Sequence, residues 1–167
     1  MKYIKKYKLF ENIYVDNCYN DIFAKIDDLD YVKNCLNNED FDVNHKYNPS
    51  NANDGYTMLY WAGFYKKIDI FKLFVENGAD INTIFDDKTI VIGIISKYHY
   101  NALTNVDKSI IEICFQHNIN LNHKYKGKDF FDYLDGINKT FKKFLIKKYP
   151  EQYQKYLKLK SVSDFNL

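Results

Sequence analysis

Three segments of the chain end alike at nearly even intervals. FDVN closes at Asn44, ADIN at Asn82 and INLN at Asn122, which are 38 and 40 residues apart. Self-similarity at such a period is the mark of a repeat architecture, and it predicts a unit in the low thirties lengthened by short insertions. The insertions fall at NPSNA (Asn48 to Ala52) and YHYNALTN (Tyr98 to Asn105), both rich in loop-favouring residues. Counting back from each terminal Asn aligns Val32, Ile70 and Ile110, then Cys35, Leu73 and Ile113, then Leu36, Phe74 and Cys114. All are apolar and fall at i, i+3 and i+4 within each unit, so each unit carries a helix with one buried stripe. Asn77-Gly78 follows the central helix and Asn118 the third, residues suited to the left-handed conformation that closes a helix. Asp40 stands there in the first unit and suits it less well.

A chain of 167 residues is long enough for one domain with a single core. The 46% hydrophobic and 28% charged residues exclude a mainly disordered chain. The 24 basic residues against 22 acidic ones leave a charge of +2, and every cation is lysine. Without arginine forks or a concentrated basic face, sequence-specific nucleic-acid readout is not expected. The excess of Asn, Lys, Ile, Tyr and Phe reads as the mark of an AT-rich genome. Cys18, Cys35 and Cys114 are odd in number, do not suggest a disulfide framework, and fit a reducing compartment. No signal-length apolar run follows MKYIKKYKLF and nowhere do 18 apolar residues run together, so neither export nor a membrane segment is expected.

The central unit, DGYTMLYWAGFYKKIDIFKLFVENGADIN (Asp54 to Asn82), resembles an ankyrin repeat. Gly55, Thr57, Leu59 and Ala62 stand at the Gly, Thr, Leu and Ala of that family's G-x-T-P-L-H-x-A signature. Gly78, Ala79, Asp80 and Asn82 fit its G-A-D-x-N ending. Met58 replaces the usual proline and Tyr60 the usual histidine, which predicts a less rigid first helical turn. The resemblance implies an all-α ankyrin-repeat solenoid of about three to four degenerate helix-turn-helix units with a C-terminal capping helix. The units span approximately residues 20–47, 53–82 and 86–122, with a partial one at 127–134 where Gly127 and Asp132 match the form common in final repeats. Residues 1–19 form an N-terminal extension and 135–167 the capping helix and tail. Within the latter, NKTFKKFLIKKY places Phe141, Phe144 and Leu145 on one face beneath a solvated lysine face. Pro150 is expected to end that helix and leave KSVSDFNL loose.

Reactive constellations are sparse. NHKY occurs at Asn44 to Tyr47 and again at Asn122 to Tyr125. In stacked helix layers about 8–10 Å apart, His45 and His123 lie two layers from each other, too far to share a zinc ion bound at about 2.0–2.3 Å. Both histidines read as polar starts of extended fingers. His99 and His117 have no Cys or His at ligand spacing. Cys35 and Cys114 read as small core residues, Asp27, Asp28 and Asp30 as a solvated turn, and the six scattered glycines form no phosphate loop. No catalytic residue, cofactor or metal is expected.

By the resemblance, binding engages finger tips and the end of each first helix. The implied contacts are His45, Lys46, Tyr47 and Tyr56, then Phe64 and Tyr65. In the later units they are Lys88, Ser96 and Lys97, then His123, Lys124 and Tyr125. Aromatic side chains there supply contact area at little entropic cost, whereas Trp61 is expected in the core. The function expected is a non-catalytic module, monomeric and cytoplasmic, that binds a protein partner. As a viral protein or bacterial effector it would act in a host cytoplasm. The alternative is a small enzyme or ligand-binding protein with its site near Cys18 or in the long insertion.

Overall fold

The computed structural model describes residues 18–19, 21–22, 24–47, 55–96 and 103–165, and it is mainly helical. Both predicted insertions, the second with His99, lie largely outside the described residues, and the candidate contact Lys97 lies outside them too. The chain divides into two compact units, the first running to Asp80 and the second starting at Ile81.

In the first unit, α1 (Leu29–Leu36) begins where the Asp28 carboxylate accepts the Tyr31 N–H at 2.9 Å. The acidic turn thus includes a helix cap, and Asp27 beside it pairs with Lys67. A short antiparallel ribbon follows, β1 (Lys46–Tyr47) against β2 (Tyr56–Thr57), with Lys46 opposite Thr57. Thr57 then caps α2 (Met58–Phe64), its hydroxyl oxygen accepting the Tyr60 N–H at 3.3 Å. Helix α3 (Ile68–Glu76) packs on both α1 and α2. Its end is closed by Gly78 at φ 86°, with the Ala79 N–H donating to the Phe74 carbonyl at 3.0 Å. A side chain at that φ would be strained, which is the physical reason for glycine there. Met58, Leu59, Ala62, Ile70, Phe71 and Phe74 form the core between α2 and α3.

The second unit contains α4 (Ile90–Ile95), α5 (Asn105–Gln116), α6 (Phe130–Ile137), α7 (Lys139–Lys148) and α8 (Pro150–Phe165). Helices α4 and α6 are each introduced by a two-residue reversal. Phe85 and Lys88 bond mutually around Asp86 and Asp87 (φ 44° and 59°), as do Tyr125 and Lys128 around Lys126 and Gly127 (φ 50° and 74°). Positive φ at both central residues is the geometry of tight hairpin turns. Capping boxes fix the starts of α5, through Thr104 and Asp107, and of α6, through Asp129 and Asp132. Helix α4 packs on α5 and α6, α6 on α7, and α7 on α8.

The predicted stripes are observed with one shift of register. Val32, Ile70, Ile110, Cys35, Phe74 and Cys114 are buried, while Leu36, Leu73 and Ile113 are half-buried. In the first unit the buried partner of Val32 is the residue at i+3. In the other two it is the residue at i+4. The left-handed closure at Asn118 (φ 58°) agrees with the pattern, whereas α1 closes at Asn37 in right-handed conformation, before Asp40 is reached.

Three expectations are corrected. Helix α7 ends at Lys148, just before Pro150 as expected, but KSVSDFNL is not loose: it is helical as far as Phe165, because Pro150 opens α8, where a first-turn N–H has no helical partner and proline loses nothing by lacking one. Trp61 is half-buried, not core. Cys18 and Cys35 form a disulfide with Cα atoms 5.8 Å apart, so an odd cysteine count conceals one pair and leaves Cys114 as the free, buried thiol. The cross-link closes a loop of 17 residues, for which the chain-entropy account gives about 3 kcal/mol of stabilisation. Cys35→Ser is therefore expected to destabilise the protein by that amount in a denaturant titration. An equal midpoint for the variant and for the oxidised parent would show that the bond contributes nothing.

Candidate functional site

In the first unit the sequence of α2 places five aromatic side chains together. Tyr56 leads in from β2, and Tyr60, Trp61 and Phe64 follow at positions that share adjoining faces of the helix, with Tyr65 as its C-cap. Tyr56 stacks on Tyr60 with centroids 4.5 Å apart, and Trp61 on Tyr65 at 5.7 Å with planes 18° apart. Edge contacts tie Tyr56 to Trp61 at 5.4 Å, Trp61 to Phe64 at 5.8 Å and Phe64 to Tyr65 at 5.3 Å. The opposite face of the same helix, Met58, Leu59 and Ala62, is buried. Two apolar faces on one short helix cannot both be covered by α3. Phe64 and Tyr65 consequently keep 41% and 50% of their surface exposed.

The remaining candidate residues are distributed as follows. His45 stacks on Tyr19 at 4.2 Å, and Lys46 is exposed on β1, where Tyr47 is the second strand residue. In the second unit the His123 ring nitrogen Nε2 lies 2.6 Å from the Asp87 carbonyl oxygen, tying one finger to the tip of another. Lys88 places its ammonium 4.7 Å from the Tyr125 ring centre. Lys124 is exposed and Ser96 is the half-buried C-cap of α4. Among the described side chains, Tyr56, Phe64 and Tyr65 converge on one surface within the first unit. Tyr60 and Trp61 belong to it and escape a reading by repeat position, although their i and i+4 spacing with Phe64 and Tyr65 carries the signal.

A buried polar cluster in the second unit has no counterpart in the sequence reading. The Asp129 carboxylate accepts from the Tyr156 hydroxyl at 2.9 Å and from the Lys160 ammonium at 2.8 Å, and Lys160 also reaches Tyr156 at 2.7 Å and Asp132 at 3.3 Å. Burial pushes the Asp129 carboxyl up, but hydrogen bonds from Lys160, the Asp132 backbone and Tyr156 outweigh it and hold the pKa below the ordinary value. Desolvation and the adjacent carboxylate push the Tyr156 phenol up. Burial opposes the charge on Lys160, and its bonds to Asp129 and Tyr156 raise its pKa nonetheless. Each group is held in its ordinary charge state, which makes the cluster a lock between α8 and the start of α6. Burial likewise pushes the Cys114 thiol up. Among the described residues no group of three His, Cys, Asp or Glu side chains is placed to hold a metal, and no helix is long and apolar enough to cross a membrane.

Fold and surface together define an all-α protein of short packed helices that presents an aromatic face. No family model matches the chain, and no solved structure matches it. It is 40% identical over 60 residues to the palmitoyltransferase akr1 of Schizosaccharomyces pombe, an alignment covering 36% of this chain and 9% of that protein. The chain thus spans under a tenth of that relative's length. Membership of the ankyrin family is corrected by these findings. A likeness this short, without a matching family model, leaves the signature residues of the central segment as a local resemblance.

Proposed function

We propose that this protein is a non-catalytic protein-binding module, built from successive helix-turn-helix units, whose contact surface is the aromatic face of α2. The observation that carries the reading is the mutual packing of Tyr56, Tyr60, Trp61, Phe64 and Tyr65 with Phe64 and Tyr65 left open to solvent. Interlocked rings lose little conformational freedom on binding, and partly exposed aromatic anchors are the residues that dominate interface energetics. The similarity to a palmitoyltransferase brings no acyl-transfer role to this chain, since it covers so small a part of that enzyme. Cys114 also has its thiol buried and held protonated, a poor nucleophile.

The experiment is capture of partners from native extract by the parent protein and by a Tyr56→Ala, Tyr65→Ala double variant. A partner retained by the parent should be weakened by about tenfold or more in the variant, the loss expected for one or two interface anchors, with an unchanged melting temperature. Equal retention removes this face from the function. A small ligand that raises the melting temperature while no partner is captured would favour a ligand-binding protein instead.

A further inference from the structure

Three asparagines, Asn44, Asn82 and Asn122, close the three similar segments, and two of them perform the same task. The Asn44 amide donates to the Gly78 carbonyl at 3.2 Å while its Oδ1 accepts the Asp80 N–H at 2.7 Å. Asn82 does likewise within the second unit, donating to the Asn118 carbonyl at 3.5 Å and accepting the Asn120 N–H at 2.6 Å. Each side chain thus chelates a C=O and an N–H two residues apart on the segment that leaves a helix end, beginning at left-handed Gly78 (φ 86°) or Asn118 (φ 58°). The residue between them, Ala79 or Ile119, is buried.

Asn122 is built for the same task. Its own N–H donates to the Asn120 carboxamide at 3.0 Å, as the N–H of Asn44 donates to the Asp42 carboxylate at 2.9 Å, so the two side chains leave the backbone from the same local turn. Its amide bonds to no described residue. The chain segment that the period would bring to it lies in α8, whose backbone groups are consumed by the helix. In place of a held segment there is a cleft of about 310 Å³ between the Asn118–Asn122 segment and α8, lined by Asn122, Gln152, Lys155, Tyr156 and Leu159.

We infer that this cleft binds a polypeptide segment that leaves a left-handed turn, with Asn122 clamping its backbone as Asn44 and Asn82 clamp the chain's own. The segment preferred is one in which a small or branched apolar residue is flanked by an Asx residue on its C-terminal side, the pattern of Gly78-Ala79-Asp80 and Asn118-Ile119-Asn120. Lys155 at the rim favours an acidic residue in that flanking position. The site is in the second unit and is independent of the aromatic face on the first.

The test is a titration of isotope-labelled full-length protein with a capped peptide of the sequence Val75 to Thr83, which contains the segment that Asn44 holds, followed by NMR. Amide shifts are expected at Asn118 to Asn122, Gln152 and Leu159, including the Asn122 side chain. Asn122→Ala should weaken binding about tenfold, the effect of losing two hydrogen bonds of ordinary strength. Asn122→Asp, which keeps the acceptor and loses the donor, should fall between. Absence of shifts at the cleft would overturn the inference. So would shifts confined to the surroundings of Asn44, equal affinity for a scrambled peptide, or undiminished binding by both variants with unchanged melting temperatures.

Discussion

Replacing Asp129 with alanine is expected to lower the stability of the protein by about 4 kcal/mol, the scale for removing one partner of a buried charge pair, and hence its melting temperature by about 10 °C. Two losses combine. The carboxylate, 1% exposed, is the N-cap of α6, and it is also the acceptor shared by Tyr156 and Lys160 from α8. Without it the phenol and the ammonium retain their desolvation cost and lose their compensation. Tyr156→Phe removes one hydrogen bond and leaves the cap and the ion pair, so it should cost only about 1 kcal/mol. A denaturant titration of the two variants distinguishes the cases. If Asp129→Ala and Tyr156→Phe differ by less than the error of the method, the ion pair contributes nothing.

The same group sets an acid limit. The pKa of Asp129 is lower in the folded protein, so its contribution is complete above the unfolded value of about 3.9 and is lost as pH falls through the folded one. Lys160 is raised, so its contribution is complete below about pH 10.4 and is lost only as pH rises through its folded value. Melting temperature should therefore be insensitive to this pair from about pH 5 to 10 and decline below. In Asp129→Asn that part of the acid decline should vanish.

Phe115→Ala is expected to cost about 4 kcal/mol through the cavity it leaves. Phe115 is fully buried at the end of α5, with ring centres of Phe130, Phe131 and Tyr149 at 5.6, 6.3 and 5.3 Å. Three rings from the start of α6 and the end of α7 cannot collapse into the space together, because each is held by its own helix. Phe115→Leu should recover more than half of the loss. A Phe115→Ala variant within 1 kcal/mol of the parent in urea would mean that the cluster repacks freely.

Helical stripes were legible from sequence because a buried face demands apolar residues at i, i+3 and i+4, a local rule that Val32, Ile70 and Ile110 obey. The ends of the units were legible for a similar reason. Left-handed closure selects Gly78 and Asn118, and an asparagine that chelates the next helix end recurs at Asn44 and Asn82. Part of the aromatic face was visible in Tyr56, Phe64 and Tyr65. Trp61 was misplaced, because its side of α2 is apolar and composition does not say which of two apolar faces α3 will cover.

The pairing of Cys18 with Cys35, the helix that begins at Pro150, and the closure of Asp129 with Tyr156 and Lys160 were decided by tertiary structure alone. Each joins residues 17 or more positions apart or depends on what a later segment packs against. A period reports only how one segment resembles the next. It carries no term for a contact made once, and the contacts that lock α8 in place are made once.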